Sequence, residues 1–393
     1  MSRLEELIAE FCPDGVPFKK VKEVYMRLKG TPITAGKMKE IENPKGDIRI
    51  FAGGKTVINA VEEDIPNANI TRVPAVLVQS RGVIDVVFYD KPFTFKNEMW
   101  AYTCPEVVSV KFLYYVLKSN IQKFRDAASG MGSLPQISLP VTEEFLIPVP
   151  PLPVQREIVR ILDSFTELTA ELTAELTARQ KQYEYYNNVL LNYPDAPYYA
   201  LEDLCDIVDY RGKTPKKVDE GIFLVTAKNI RKGYIDYDKS KEFIAAEDYE
   251  EVMHRGYPQI GDVLITTEAP CGYVAQVDRE NIALAQRVIK YRPKTNKLNS
   301  SFLKYVLLGK EFQDKLLTQA TGGTVKGIKG SRLHKLTIPV PPKEEQERVV
   351  AILSKLDALI NDITVGLPAE IAARQKQYEY YRDKLLTFKP LAS

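Results

Sequence analysis

Nine consecutive residues occur twice in this 393-residue chain: Ala178-Arg179-Gln180-Lys181-Gln182-Tyr183-Glu184-Tyr185-Tyr186 returns unchanged as Ala373 to Tyr381, 195 residues further on. A second identical pair lies ahead of it. Ile147-Pro148-Val149-Pro150-Pro151, followed four residues later by Gln155, recurs as Ile338-Pro339-Val340-Pro341-Pro342 followed by Gln346, at an offset of 191. Self-similarity on this scale requires a fold made of two copies of one plan. Looser matches carry the repeat toward the N-terminus. Lys29-Gly30-Thr31-Pro32 resembles Gly212-Lys213-Thr214-Pro215, and Pro13-Asp14 resembles Pro194-Asp195.

Each copy reads as one globular domain followed by one long helix. The expected boundaries are 1–153 and 194–341 for the globular parts, and 154–193 and 342–393 for the helices. The globular parts are expected to be of mixed α+β character. Ala75-Val76-Leu77-Val78 and Asp262-Val263-Leu264-Ile265 read as strands, residues 110–125 and 302–317 each as a helix, and Gly53-Gly54 and Gly322-Gly323 as loops. The IPVPP segments must be extended, since proline removes a donor and restricts the residue before it, and each leads directly into a helix start.

The helices carry a heptad seam. Ile158, Leu162, Phe165, Thr169, Leu172, Leu176, Arg179, Tyr183, Tyr186 and Leu190 step by four and three without interruption. The second seam runs Val349, Leu353, Leu356, Ile360, Ile363, Leu367, then takes an extra four to Ile371 before Arg374, Tyr378, Tyr381 and Leu385. The extra four is a stutter and accounts for the change in offset. Gly366 and Pro368 fall inside it, so a kink, or a break with a restart at Pro368, is expected. Two matched heptad helices in one chain can pair antiparallel as a coiled coil and act as a spacer between the two domains. Leu162, Phe165, Leu172, Leu176, Leu353, Leu356, Ile360 and Ile363 are its expected apolar members. The TEL and TAEL run from Thr166 to Ala178 is strong helix-forming material, each unit adding nearly one turn.

Catalytic signatures are missing. Gly53-Gly54-Lys55-Thr56 and Gly212-Lys213-Thr214 lack the earlier glycine of a phosphate-binding loop, because Arg49 and Ile207 stand there. The only two histidines, His254 and His334, adjoin no nucleophile motif, and the four cysteines form no CxxC pair. No nicotinamide, metal or other cofactor is expected. Absence of a signal peptide and of any 18-residue apolar run leads to an expected cytoplasmic location. Net charge is only +2, but residues 13–150 hold 18 Lys+Arg against 15 Asp+Glu, and 194–341 hold 23 against 20. A small basic excess on both globular parts suits phosphate contacts.

Taken together, the domain-then-helix duplication, the IPVPP-to-Gln junctions, the repeated ARQKQYEYY, the TAEL units and the GDVLIT segment at 261–266 resemble the specificity subunits of type I restriction-modification systems. The resemblance covers essentially the whole chain. It implies two pseudo-repeated target-recognition domains, each reading a short half-site of double-stranded DNA, separated by two long antiparallel coiled-coil helices. It also implies partners: modification (methyltransferase) subunits, two in number, and restriction (translocase/nuclease) subunits, while the chain itself catalyses nothing. An orphan or antitoxin-like DNA-binding scaffold of the same architecture is the alternative. Reading DNA needs cations for phosphates and amides, hydroxyls, arginines or carboxylates for base edges. The candidates in the first domain are Lys29, Thr31, Gln79, Ser80, Arg81 and Asn97. In the second they are Lys213, Lys216, Lys217, Thr226, Lys228, Asn229, Arg231, Lys232, Thr267, Glu268, Gln286 and Arg287.

Overall fold

A computed structural model describes residues 3–54, 56–129, 134–210, 215–323, 326–361 and 366–391. Two compact units result, one made of Met1–Ala170 with Ala373–Ser393 and the other of Glu171–Ala372.

Both units are built on the same sheets. In the first, a four-stranded antiparallel sheet runs in the order Met26–Leu28, Trp100–Thr103, Ala75–Gln79, Asp85–Tyr89. In the second, the order is Cys205–Asp209, Val288–Pro293, Val263–Thr266, Val274–Gln276. Each unit adds a three-stranded sheet whose middle strand has one antiparallel and one parallel neighbour. Ile48–Phe51 lies between Val57–Ala60 and Phe93–Phe95, and Ile222–Val225 between Phe243–Ile244 and Ile282–Leu284. Ala75–Gln79 and Val263–Thr266 are buried at every position, as continuous apolar runs in inner strands should be.

The repeated IPVPP segments do the same work in both units. Leu146–Pro148 pairs with Phe18–Lys20, and Thr337–Pro339 with Tyr198–Ala200. The prolines beyond cannot donate, so the chain leaves the strand and turns into a helix. The repeated glutamines secure that turn: Gln155 Nε2 donates to Pro150 O at 2.7 Å and Gln346 Nε2 to Pro341 O at 2.8 Å.

The central helix is Leu152–Leu190, 39 residues, or about 58 Å at 1.5 Å per residue. It starts in the first unit and ends in the second. The chain returns through Lys343–Asn361 and Leu367–Leu385, the latter crossing into the first unit at Ala373. The restart falls at Leu367, with Pro368 in the first turn and Gly366 O accepting from Ala369 and Glu370 N. Ile363 lies outside the described residues.

Each helix contributes to a domain core rather than standing apart from it. Ile158 and Leu162 are fully buried with Val76, Tyr102, Leu113 and Val116, and Tyr378 and Leu385 pack against the same cluster. In the second unit Leu353 and Val349 are buried with Ile265, Tyr291 and Phe302, with Tyr183 packed alongside. Phe165 stacks on Tyr381 with ring centroids 5.5 Å apart. Leu172, Leu176 and Leu356 are half-buried and Ile360 is buried, whereas Tyr186, though in register, is exposed. A Lys–Asp pair pins helix to domain in each unit: Lys111 to Asp163 at 2.6 Å and Lys304 to Asp357 at 3.0 Å.

Two expected single helices are each divided. Val107–Ser119 is followed by Ile121–Asp126, and Ser300–Leu308 by Lys310–Gln319. Asn120 ends the first by turning its amide onto Val116 O at 2.8 Å. Gly309 breaks the second in an extended conformation, where an added Cβ would meet Val306 O at 3.1 Å and Leu191 Cδ1 at 3.2 Å.

Candidate nucleic-acid interface

One end of each four-stranded sheet gathers loops that the sequence places far apart. In the first unit the strand Ala75–Gln79 runs into Ser80-Arg81-Gly82. Ser80 is buried, its carbonyl accepts from Ile137 N at 2.9 Å, and its hydroxyl donates to Glu98 O. Arg81 O accepts from Gly54 N at 3.0 Å, and Gly82 N donates to Pro135 O at 2.9 Å. Gly82 takes φ +79, the left-handed region that glycine enters without strain. Four loops therefore converge, around residues 52–54, 80–82, 96–98 and 134–137. Asn97 and Arg81 are exposed there, and the Arg81 guanidinium has no hydrogen-bond or ion-pair partner among the described residues. Lys96 holds Glu98 at 3.0 Å.

The second unit repeats the construction. The strand Val263–Thr266 runs into Thr267-Glu268, and Thr267 O accepts from Ile328 N at 2.9 Å. Thr267 donates through its backbone N and Oγ1 to Arg287 O, at 2.9 and 3.3 Å. Arg287 Nε pairs with Glu268 Oε1 at 2.6 Å. A cleft of about 360 Å³ opens beside the pair, lined also by Thr321, Gly327 and Lys329.

Several residues singled out in the sequence are used internally. Thr31 is fully buried, its hydroxyl 2.7 Å from that of Thr94 and accepting from Asn69 N at 2.9 Å. Asn229 is buried and fastens its loop, accepting from Thr226 N and Oγ1 and donating to Asp236 O and Ser240 O. Gln79 and Thr267 are buried as well. Thr226 and Gln286 are half-buried, and Arg231 is tied to Asp236 at 3.4 Å. Besides Arg81 and Arg287, the exposed cations among these candidates are Lys29, Lys216, Lys217, Lys228 and Lys232. Lys213 lies outside the described residues.

Lys217 and Lys228 converge on Glu242, at 2.6 and 3.8 Å. Burial opposes the charge of Glu242, but the two lysines outweigh it and hold the carboxyl below its ordinary range. Sequence reasoning missed Glu98, Thr321, Gly327 and Lys329. The loop signal at Gly322-Gly323 pointed to the last three, but nothing local in the sequence says that this loop folds back to Glu268. Among the described residues no cluster of His, Cys, Asp and Glu could hold a metal ion, and no helix is long and apolar enough to cross a membrane.

Fold and loops define a duplicated α+β protein that presents polar and cationic loops from two equivalent strand ends. A family model described as "Type I restriction modification DNA specificity domain" matches the chain twice, at residues 13–179 and 195–373. The chain belongs to that family, and is a specificity subunit of type I restriction-modification systems.

It is 36% identical to the EcoR124I/EcoR124II specificity subunit of Escherichia coli, over 71% of each chain. It is 32% identical to a putative type I specificity subunit of Haemophilus influenzae, over 75% of this chain and 77% of that one. Among solved structures, the type I S subunit from M. genitalium superposes with a TM-score of 0.63 at 17% identity, covering 95% of this chain and 96% of that one. The two chains thus share a fold with little sequence in common.

Proposed function

We propose that each unit reads one short half-site of a bipartite double-stranded DNA target, and that the helical stretches joining the units set the unread gap between the half-sites. The supporting observation is a contrast between what the repeat keeps and what it changes. The pentapeptide IPVPP with the glutamine four residues on, and the nonapeptide ARQKQYEYY, are identical in both copies, while the loops at the strand ends share a backbone plan and differ in side chains. A surface that meets the same partner twice needs the same residues twice. Surfaces that read different base sequences need different ones.

The identical nonapeptides present Tyr185 and Tyr380 at 65% and 64% exposure, each edge-on to the tyrosine after it. Exposed aromatic pairs of this kind favour protein docking. They suit two modification (methyltransferase) subunits, with restriction (translocase/nuclease) subunits joining the assembled enzyme. The chain itself catalyses nothing and needs no cofactor, and it works in the cytoplasm where the DNA is. Methylation mapping in cells that express the chain with a type I modification subunit tests this reading. The expected motif is two short half-sites separated by a fixed gap of unspecified bases, and a contiguous motif would sink the proposal.

A further inference from the structure

The hydrogen bonds around the two loop clusters align them residue by residue. Ser80 and Thr267 each send a hydroxyl to the carbonyl of a neighbouring loop, Glu98 in one unit and Arg287 in the other. Each accepts from the isoleucine that follows a bridged pair, Ile137 after Ser129–Gln136 and Ile328 after Thr321–Gly327. The next residues, Arg81 and Glu268, bridge Gln136 and Gly327. Glu98 therefore corresponds to Arg287, and Arg81 to Glu268. The same two loop positions carry opposite charges in the two units: arginine then glutamate in the first, glutamate then arginine in the second.

Each unit thus offers one guanidinium at this spot, from opposite members of the loop pair. In the first, Lys96 engages Glu98 and Arg81 is left without a partner among the described residues. In the second, the contact to Glu268 is made through Nε of Arg287, and the Arg287 side chain is still about half exposed, at 54%. Arg287 has φ +71 and Ala269, after Glu268, has φ +48. Non-glycine residues rarely adopt such angles, so the surrounding fold imposes this loop geometry. A two-pronged guanidinium matches O6 and N7 of guanine in the major groove.

We infer that Arg81 and Arg287 are the guanine-reading residues of the first and second half-sites, with Glu268 as a positioning residue for Arg287. This rests on the two-half-site reading above.

The test maps methylated motifs on the host chromosome of cells that express the full chain with its modification subunit. R287A should leave the first half-site unchanged and admit other base pairs at one G·C position of the second, with discrimination there falling about ten- to hundred-fold. R81A should do the mirror image. R287K keeps the charge but not the fork, and should relax the same position as R287A. E268Q should relax that position more weakly and no other, and a change elsewhere would show Glu268 reading a base itself. Both arginines are exposed, and unfolding midpoints matching the parent chain would confirm folded variants. A bipartite parental motif that neither arginine substitution relaxes overturns this inference alone. So does a fall in methylation that is uniform across sites with the motif kept, which marks a phosphate contact. A contiguous parental motif overturns the underlying reading and this inference together.

Discussion

Lys304 and Asp357 show how much position decides the worth of an ion pair. Their side chains are 10% and 15% exposed, and the ammonium also lies 4.3 Å from the Tyr305 ring centroid. The corresponding Lys111–Asp163 pair is 33% and 22% exposed. Removing one member of a largely buried pair strands the other charge and costs about 3 kcal/mol, whereas a solvated pair contributes about 1 kcal/mol or less. Lys304→Ala should therefore lower unfolding stability by about 3 kcal/mol and Lys111→Ala by about 1, measured by denaturant titration. Equal losses would contradict the burial argument.

Burial also pushes the Cys205 thiol up to about 12, and Cys12 is raised for the same reason. A thiol reagent at pH 8 should label the half-buried Cys104 and Cys271 before Cys12 and Cys205, with mass spectrometry of the peptides giving the order. The residue scale is where sequence reading was weakest. Thr31, Ser80, Asn229 and Thr267 are of types that suit base contacts, yet their polar atoms fasten loops to one another. Whether a hydroxyl turns inward depends on partners up to some 60 residues away, as Thr94 is from Thr31, and no local pattern encodes that.

Among elements, the heptad seams were the most legible feature, because period and burial follow from the same geometry. Ile158, Leu162, Val349 and Leu353 are all buried. The breaks at Asn120 and Gly309 were not read, since each interrupts a continuous apolar pattern with one polar or small residue. If the central helix sets the gap between half-sites, lengthening it should change the gap and nothing else. One extra Ala-Glu-Leu-Thr after Thr173 adds about 6 Å and about 40° of helix rotation. One base pair advances B-DNA by about 3.4 Å and turns it by roughly 34–36°. Rotation decides which groove face a half-site presents, so the methylated motif should gain one base pair of gap with both half-sites unchanged. An unchanged gap in the mapped motif would refute the spacer role.

The whole molecule is a duplication more complete in backbone than in sequence. The longest identities lie at the junctions and in the nonapeptide, whereas the strand order of both sheets is the same in the two units. Strand pairing needs an apolar pattern and a register, both of which survive wide side-chain change. Duplication and mixed α+β class were therefore readable from the sequence, and the identical sheet order was not. Similarly, the charge inversion at Arg81/Glu98 and Glu268/Arg287 is invisible until hydrogen bonds supply the alignment.

Independent reading by two copies of one domain is the central claim, and exchange of a single copy tests it most directly. Residues 13–150 would be replaced by the corresponding domain of another specificity subunit, and the chimera expressed with the modification subunit for methylation mapping. The account predicts that one half-site takes on the donor's bases while the other half-site and the gap stay as in the parent. Change in both half-sites would contradict it.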